Sequence, residues 1–333
     1  MGPSGLPLTD PDRAWDLMLK HLPEFPAWPR LPRRSFLENP DVQLCERFPG
    51  VVFEDSHIYI EDIWERDPAL DHLYIAYLGQ ETDYGRISPE YAACLGRLID
   101  ESVRLPHTTT ALKGQIMGPL SWALTVLDQD GGPILYNEDL LDVVSQHLRL
   151  KAAWQEHVLR HFVPVTVMLL EEPLLTPTGL ASLPIETERV LALLEDVLGG
   201  MSGLKGIHCT VPVDSSVLCS ISANVLSLDV SDVSDSSDLS VADLRDFIGR
   251  GGLIVWGIVP AQERVCDEKA EELADRLQGW LDSVVGKGVT LDTVVAASIV
   301  STSSGLESAE VEVAERALAL TAEVSQIMRA RHI

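Results

Sequence analysis

Lys205-Gly206-Ile207-His208-Cys209-Thr210, continued after a short gap by Asn224-Val225-Leu226-Ser227-Leu228-Asp229, is the stretch that decides the fold. Two apolar strand patterns follow one another. The first ends in a His beside a Cys, the second in a carboxylate. His, Cys and Asp at successive strand ends are the donor types of a zinc site at a barrel mouth. On a regular strand, neighbours i and i+2 share a face and i and i+1 do not. His208 and Thr210 therefore point together, and Cys209 points away. Whether the site is a working metal site or the remnant of one stays open.

Working outward, Val165–Leu170 is a continuous apolar run, the mark of a buried parallel strand, and it ends in Glu171-Glu172-Pro173. A helix over Glu186–Leu198 follows and stops at Gly199-Gly200. Upstream, Ala111–Met117 reads as a strand ending in Gly118-Pro119, and Asn137 caps a long helix to about His161. Downstream, a Ser/Asp-rich loop covers Val230–Asp238, and Ser240 with Asp243 opens a helix to about Ile248. Gly252–Val259 is a further buried strand, Asp267–Val285 a helix, Val294–Val300 the last strand, and about Ser308–Arg329 the final helix. Near the start, Asp10 caps a helix with Pro11 at its first position. Ala27–Pro32 is a short extended element whose prolines deny it a central, fully paired place. Val51-Val52-Phe53 and His57–Ile60 predict a hairpin, and Ser88–Val103 a helix.

About eight extended elements alternate with helices over 333 residues. That predicts an α/β fold: a single (β/α)8 TIM barrel, one domain over 1–333, with an insertion at about 33–85 whose hairpin lies over one end. A doubly wound open sheet is the alternative. No Gly-x-Gly-x-x-Gly opens any helix, which weakens a dinucleotide reading.

Formal net charge is −26, from 51 acidic and 25 basic residues. Phosphate backbones and anionic membrane surfaces are repelled by such a chain, so neither nucleic acid nor membrane is an expected partner. Five widely spaced cysteines give no disulfide framework. With no signal-peptide pattern and no long apolar span, the expected location is the cytoplasm.

A barrel builds its site at the C-terminal ends of its strands. The polar groups there are Lys113, Gln115, Glu171, Glu172, His208 with Cys209 or Thr210, Asp229, Trp256, Ser303 and Ser304. Glu171, Glu172 and His208 are the residue types for general acid–base work. Cys219 and Cys266 read as buried or incidental.

Taken in order, Leu6-Pro7-Leu8-Thr9-Asp10-Pro11, Trp28-Pro29-Arg30-Leu31-Pro32, Lys113-Gly114-Gln115 with Gly118-Pro119, Glu171-Glu172-Pro173, Gly206-Ile207-His208-Cys209, Ser227-Leu228-Asp229 and Gly251-Gly252 with Trp256-Gly257 and Val259-Pro260 form a pattern. It resembles the superfamily of cobalamin-independent methionine synthase and uroporphyrinogen decarboxylase, most of all its short core methionine-synthase-like branch. The resemblance runs from Leu6 to about Ser325. It implies a barrel that takes a methyl group from a methylcorrinoid, brought by a corrinoid protein, and a zinc ion that holds homocysteine sulfur as a thiolate. The implied metal ligands are His208, Asp229 and, displaced by one position, Cys209. Thr210 and Ser304 stand where the resemblance expects the two ligand cysteines. Glu171 is the implied partner of the homocysteine amino group. Lys113, Gln115, Trp256 and Ser304 are further substrate-binding candidates.

Three functions follow. One is a methyltransferase moving a methyl group between a methylcorrinoid and a thiol such as homocysteine. Another is a zinc-free demethylase of a methoxy compound, or a decarboxylase, of the same fold. The sparse Arg30, Arg33 and Arg34 favour the demethylase over an enzyme that clamps acidic tetrapyrroles. The last is a non-catalytic accessory barrel.

Overall fold

A computed structural model of the chain describes residues 1–54, 57–61, 67–211, 213–214, 217, 220–232 and 240–333. Cys219 and most of the Ser/Asp-rich loop fall outside the described residues. The described strands are β1 (Val51–Glu54), β2 (His57–Ile60), β3 (Ala111–Met117), β4 (Leu127–Asp128), β5 (Val165–Glu171), β6 (Leu204–Thr210), β7 (Val225–Asp229), β8 (Leu253–Val259) and β9 (Ser298–Thr302). β3-β5-β6-β7-β8-β9 make one all-parallel sheet of six, and β1-β2-β4 a small second sheet. β1 and β2 pair antiparallel, as the hairpin pattern requires, and β2 also pairs with β4.

Parallel strands covered on both sides need apolar residues on both faces. β5 meets this: Met168 and Leu170 join the main core, while Val167 and Leu169 join Val225 and Val255 in a separate apolar cluster on the concave side. The main core lies between the sheet and its helices. Trp256 of β8 stacks on Trp280 of the Ala270–Val284 helix, centroids 6.2 Å apart.

The main sheet has six regular strands, not eight, among the described residues, and its edges do not close by strand pairing. The sheet's edges, β3 and β9, instead meet two irregular extended stretches. Lys113 N–H donates to Pro26 O, and Gly2 N–H to Phe25 O. Arg30 N–H donates to Ser4 O, Leu6 N–H to Arg30 O, and Ser301 Oγ–H to Met1 O. The physical reason for the lost strands is proline. Pro3 and Pro7 in one stretch and Pro23, Pro26, Pro29 and Pro32 in the other carry no N–H, so only isolated bridges form. Gln115, fully buried, ties the two stretches together: its Nε2 donates to Trp28 O at 2.7 Å and to Ser4 O at 3.3 Å.

Two expected elements differ. The helix over Ser88–Val103 shortens to Ala93–Ile99, because Ala92 is non-helical at φ −153°, ψ 72° and Glu101 turns left-handed at φ 58°. The expected strand Val294–Val300 splits. Thr290 Oγ1 accepts from Thr293 N–H and starts a helix over Leu291–Ala296, and β9 begins only at Ser298. Among the described residues, no helix is long and apolar enough to cross a membrane.

Gln115→Leu removes a donor from two buried carbonyls and keeps the volume. It is expected to cost about 1–3 kcal/mol. Urea unfolding measures it, and an unchanged midpoint would show that the stretches are held by other bonds.

Candidate active site

The inward faces of β5, β6 and β7 turn polar toward their C-terminal ends, and β3 adds Lys113 from lower in the sheet, level with Val167. Register sets this. Glu171 lies level with His208, and His208 with Ser227. Because β-strand side chains alternate, all three face the same side as Val167, Leu169 and Val225. Lys113, Glu171, His208, Ser227 and Ser304, together with Ser4, line a cavity of about 20 Å3. That is room for one water-sized group.

Glu171 is the most constrained of them. Arg30 Nη2 donates to its Oε2 at 2.7 Å, and the two side chains are only 19% and 3% exposed. Burial alone would push the carboxyl up. Arg30 and Lys113, with a hydrogen bond from Ser4, outweigh that and hold it at about 2. Lys113 donates to Ser4 Oγ at 2.9 Å, and burial lowers its ammonium to about 8 against the pull of Glu171. Arg30 is itself held in place. Glu38, fully buried, accepts from the N–H of the next residue, Leu31, at 2.9 Å and from Arg34 at 2.7 Å.

His208 places Nδ1 2.9 Å from Ser227 Oγ. Burial lowers its pKa from the ordinary histidine value; Glu171 opposes this and Lys113 adds to it. The ring is therefore neutral at pH 7. When Nδ1–H donates to Ser227, the lone pair sits on Nε2. Asp229 shares the inward face of β7 with Ser227, and its Oδ1 accepts from the N–H and Oγ–H of Ser231.

Four other candidates lie elsewhere or are spoken for. Glu172 caps a helix. Its carboxylate accepts from Leu120 N–H at 2.8 Å and Ser121 Oγ–H at 2.6 Å, at the start of the Pro119–Thr125 helix. Burial pushes it up to about 7 against those donors. Gly118 leaves the space that this carboxylate fills, since a Cβ there would collide with it. Cys209 lies on the outer face among the main core residues, and burial pushes its thiol up to about 12. Trp256 also faces outward, with Nε1–H donating to Ser298 Oγ at 2.9 Å. Gln115 is the tie described above.

A zinc ion would need donors that converge. Among the described residues, no three His, Cys, Asp or Glu side chains do so. The thiol of Cys209 is on the wrong side of the sheet from His208. Ser304, which lines the cavity, offers only a neutral hydroxyl, a poor zinc donor. The described donor set does not fit the metal. Glu171, on the cavity wall, is instead paired with Arg30 behind it.

Two charged residues escaped sequence reasoning. Arg30 was visible only as a sparse cation, and nothing in its spacing tied it to Glu171. Glu307 packs into space left by Gly5 and Gly305, with Oε2 buried and without a partner among the described residues. It raises the pKa of both Arg30 and Lys113.

No protein-family model matches this sequence, and no curated protein matches it. Solved structures do. A methyltransferase from Methanosarcina mazei superposes with a TM-score of 0.55 at 12% identity, over 96% of this chain and 86% of that one. A B12-independent methionine synthase from Shewanella sp. W3-18-1, in complex with selenomethionine, matches at 14% identity over 71% of this chain and 67% of that one, with a TM-score of 0.48. The likeness to the methanogen enzyme is one of fold.

A carboxyl held near pH 2 stabilises the fold fully above its unfolded pKa, and that contribution is lost as pH falls from about 4.5 toward 2. Carboxyl 13C NMR is expected to show Glu171 titrating near pH 2, and at least one unit higher in Arg30→Met. An unmoved midpoint would contradict the pairing.

Proposed function

We propose that this chain is a methyltransferase whose thiol acceptor is activated by His208 rather than by a metal. The observation that carries the reading is the imidazole of His208 on a water-sized cavity that Glu171 and Lys113 also line, with Nδ1 2.9 Å from Ser227 Oγ. We also read the two proline-rich stretches as irregular staves that complete an eight-part barrel. The fold shared with a methanogen methyltransferase supports this, as does the order of motifs along the chain.

In the proposed reaction, His208 Nε2 takes the proton of the thiol. The sulfur lone pair attacks the methyl carbon of a methylated donor. The S–C bond forms as the bond from methyl to donor breaks, and the donor leaves with the electron pair. By the resemblance, the donor is a methylcorrinoid and the thiol is of the homocysteine kind. The step uses the tautomer in which Nδ1–H donates to Ser227 Oγ, which leaves the lone pair on Nε2. Only the reacting group fits the cavity; the body of the substrate lies outside it.

The small volume favours a second reading, an accessory barrel that has lost turnover. One experiment separates the two. Purified protein is incubated with methylcobalamin and homocysteine, and methionine is measured by mass spectrometry. The proposal expects methionine above the uncatalysed rate, and a loss of about 100-fold or more in His208→Ala. It also expects activity to stay flat down to below pH 6.5, then fall as the imidazole protonates, because burial lowers that pKa. No methionine, together with no thermal shift on adding homocysteine, favours the accessory barrel.

A further inference from the structure

A second concave site lies at the opposite end of the sheet. A cleft of about 960 Å3 opens between the last turns of the Glu138–Leu159 helix and the segment 99–105. Both segments lead into the start of a strand, β5 and β3 respectively, so the cleft sits at the N-terminal ends of the strands, away from His208. The volume falls in the upper part of the range for small-ligand sites.

Charge sets this cleft apart. In a chain of net charge −26, guanidinium groups are scarce, and many of those described are paired with carboxylates, as in Arg149–Asp196, Arg189–Asp142 and Arg331–Asp275. Arg86 and Arg104 both line the cleft and are exposed. Among the described residues, neither side chain makes a hydrogen bond or ion pair. Asp83 and Glu101 also line the cleft, yet neither carboxylate comes within ion-pair distance of either guanidinium. His157 and His161 add two imidazoles, with ring centroids 4.8 Å apart. Apolar groups share the lining. Trp154 is 5% exposed, and Phe162 and Leu105 are half-buried against the core.

Free guanidiniums beside aromatic rings are the recognition elements for an anion on a flat apolar body. A guanidinium offers a planar fork of donors that matches carboxylate and phosphate oxygens, and aromatic rings bury the body without needing polar partners. We propose that this cleft binds a small aromatic anion, with its phosphate or carboxylate between Arg86 and Arg104 and its ring against Trp154 and Phe162.

Isothermal titration of the full chain with 1-naphthyl phosphate and 1-naphthoate at low salt tests this. The expected result is one molecule bound per chain. Neutral 1-naphthol should bind at least tenfold more weakly. The double variant Arg86→Gln, Arg104→Gln should also lose at least tenfold, with an unchanged circular dichroism spectrum because both side chains are exposed. His208→Ala should bind as the unmodified chain does, which keeps this site separate from the proposed active site. Absence of binding at millimolar concentration, equal binding by the double variant, or loss of binding in His208→Ala would overturn the proposal.

Discussion

A carboxylate buried inside a curled sheet has to be paired, and at the end of β5 the pairing comes from outside the sheet. Glu171 and Arg30 meet at 2.7 Å with almost no solvent on the arginine. Removing one partner of such a pair leaves an uncompensated buried charge, a cost on the order of 3–5 kcal/mol. The segment carrying Arg30 is therefore not free to move away. Glu38 fixes its backbone one residue on, and Gln115 fixes it two residues before. The prolines that exclude this segment from a strand ladder leave it a short rigid rim, which carries the guanidinium to the strand ends.

The same pair explains how the polar interior tolerates its own burial. Lys113 and Glu307 extend the charge network beyond the pair, Lys113 acting on Glu171 and Glu307 on both Arg30 and Lys113. A metal-centred site would gather thiolates about one ion. Here the one described thiol nearby, Cys209, is turned into the helix layer and kept protonated by burial. His208 is left as a neutral base, oriented by a serine.

Much of this was legible in the sequence, and the reasons differ by residue. Val165–Leu170 was readable as a strand because a run of β-branched and aliphatic residues has no other place in an α/β fold. The opposite directions of His208 and Cys209 follow from the two-residue period of a strand. Glu172 was misleading: the sequence shows two adjacent acids, but not that a helix start 52 residues upstream would claim the second. Trp256 was assigned to the mouth from its place near a strand end, yet alternation alone puts it opposite Val255, toward Trp280. Val294–Val300 was read as one strand from its apolar run, and the helix capped by Thr290 claimed its first residues, Val294–Ala296. Arg30 and Glu307 were illegible because their roles depend on which irregular stretch lies beside which strand, information that no local pattern holds.

The pairing of Arg30 with Glu171 is the claim on which the site and the irregular rim both rest. A double-mutant cycle in urea measures it most directly, using Arg30→Met, Glu171→Gln and the combined variant. The account predicts a coupling of at least about 1.5 kcal/mol, with the double variant more stable than the sum of the single losses implies. Additive losses, with coupling below about 0.5 kcal/mol, would contradict it.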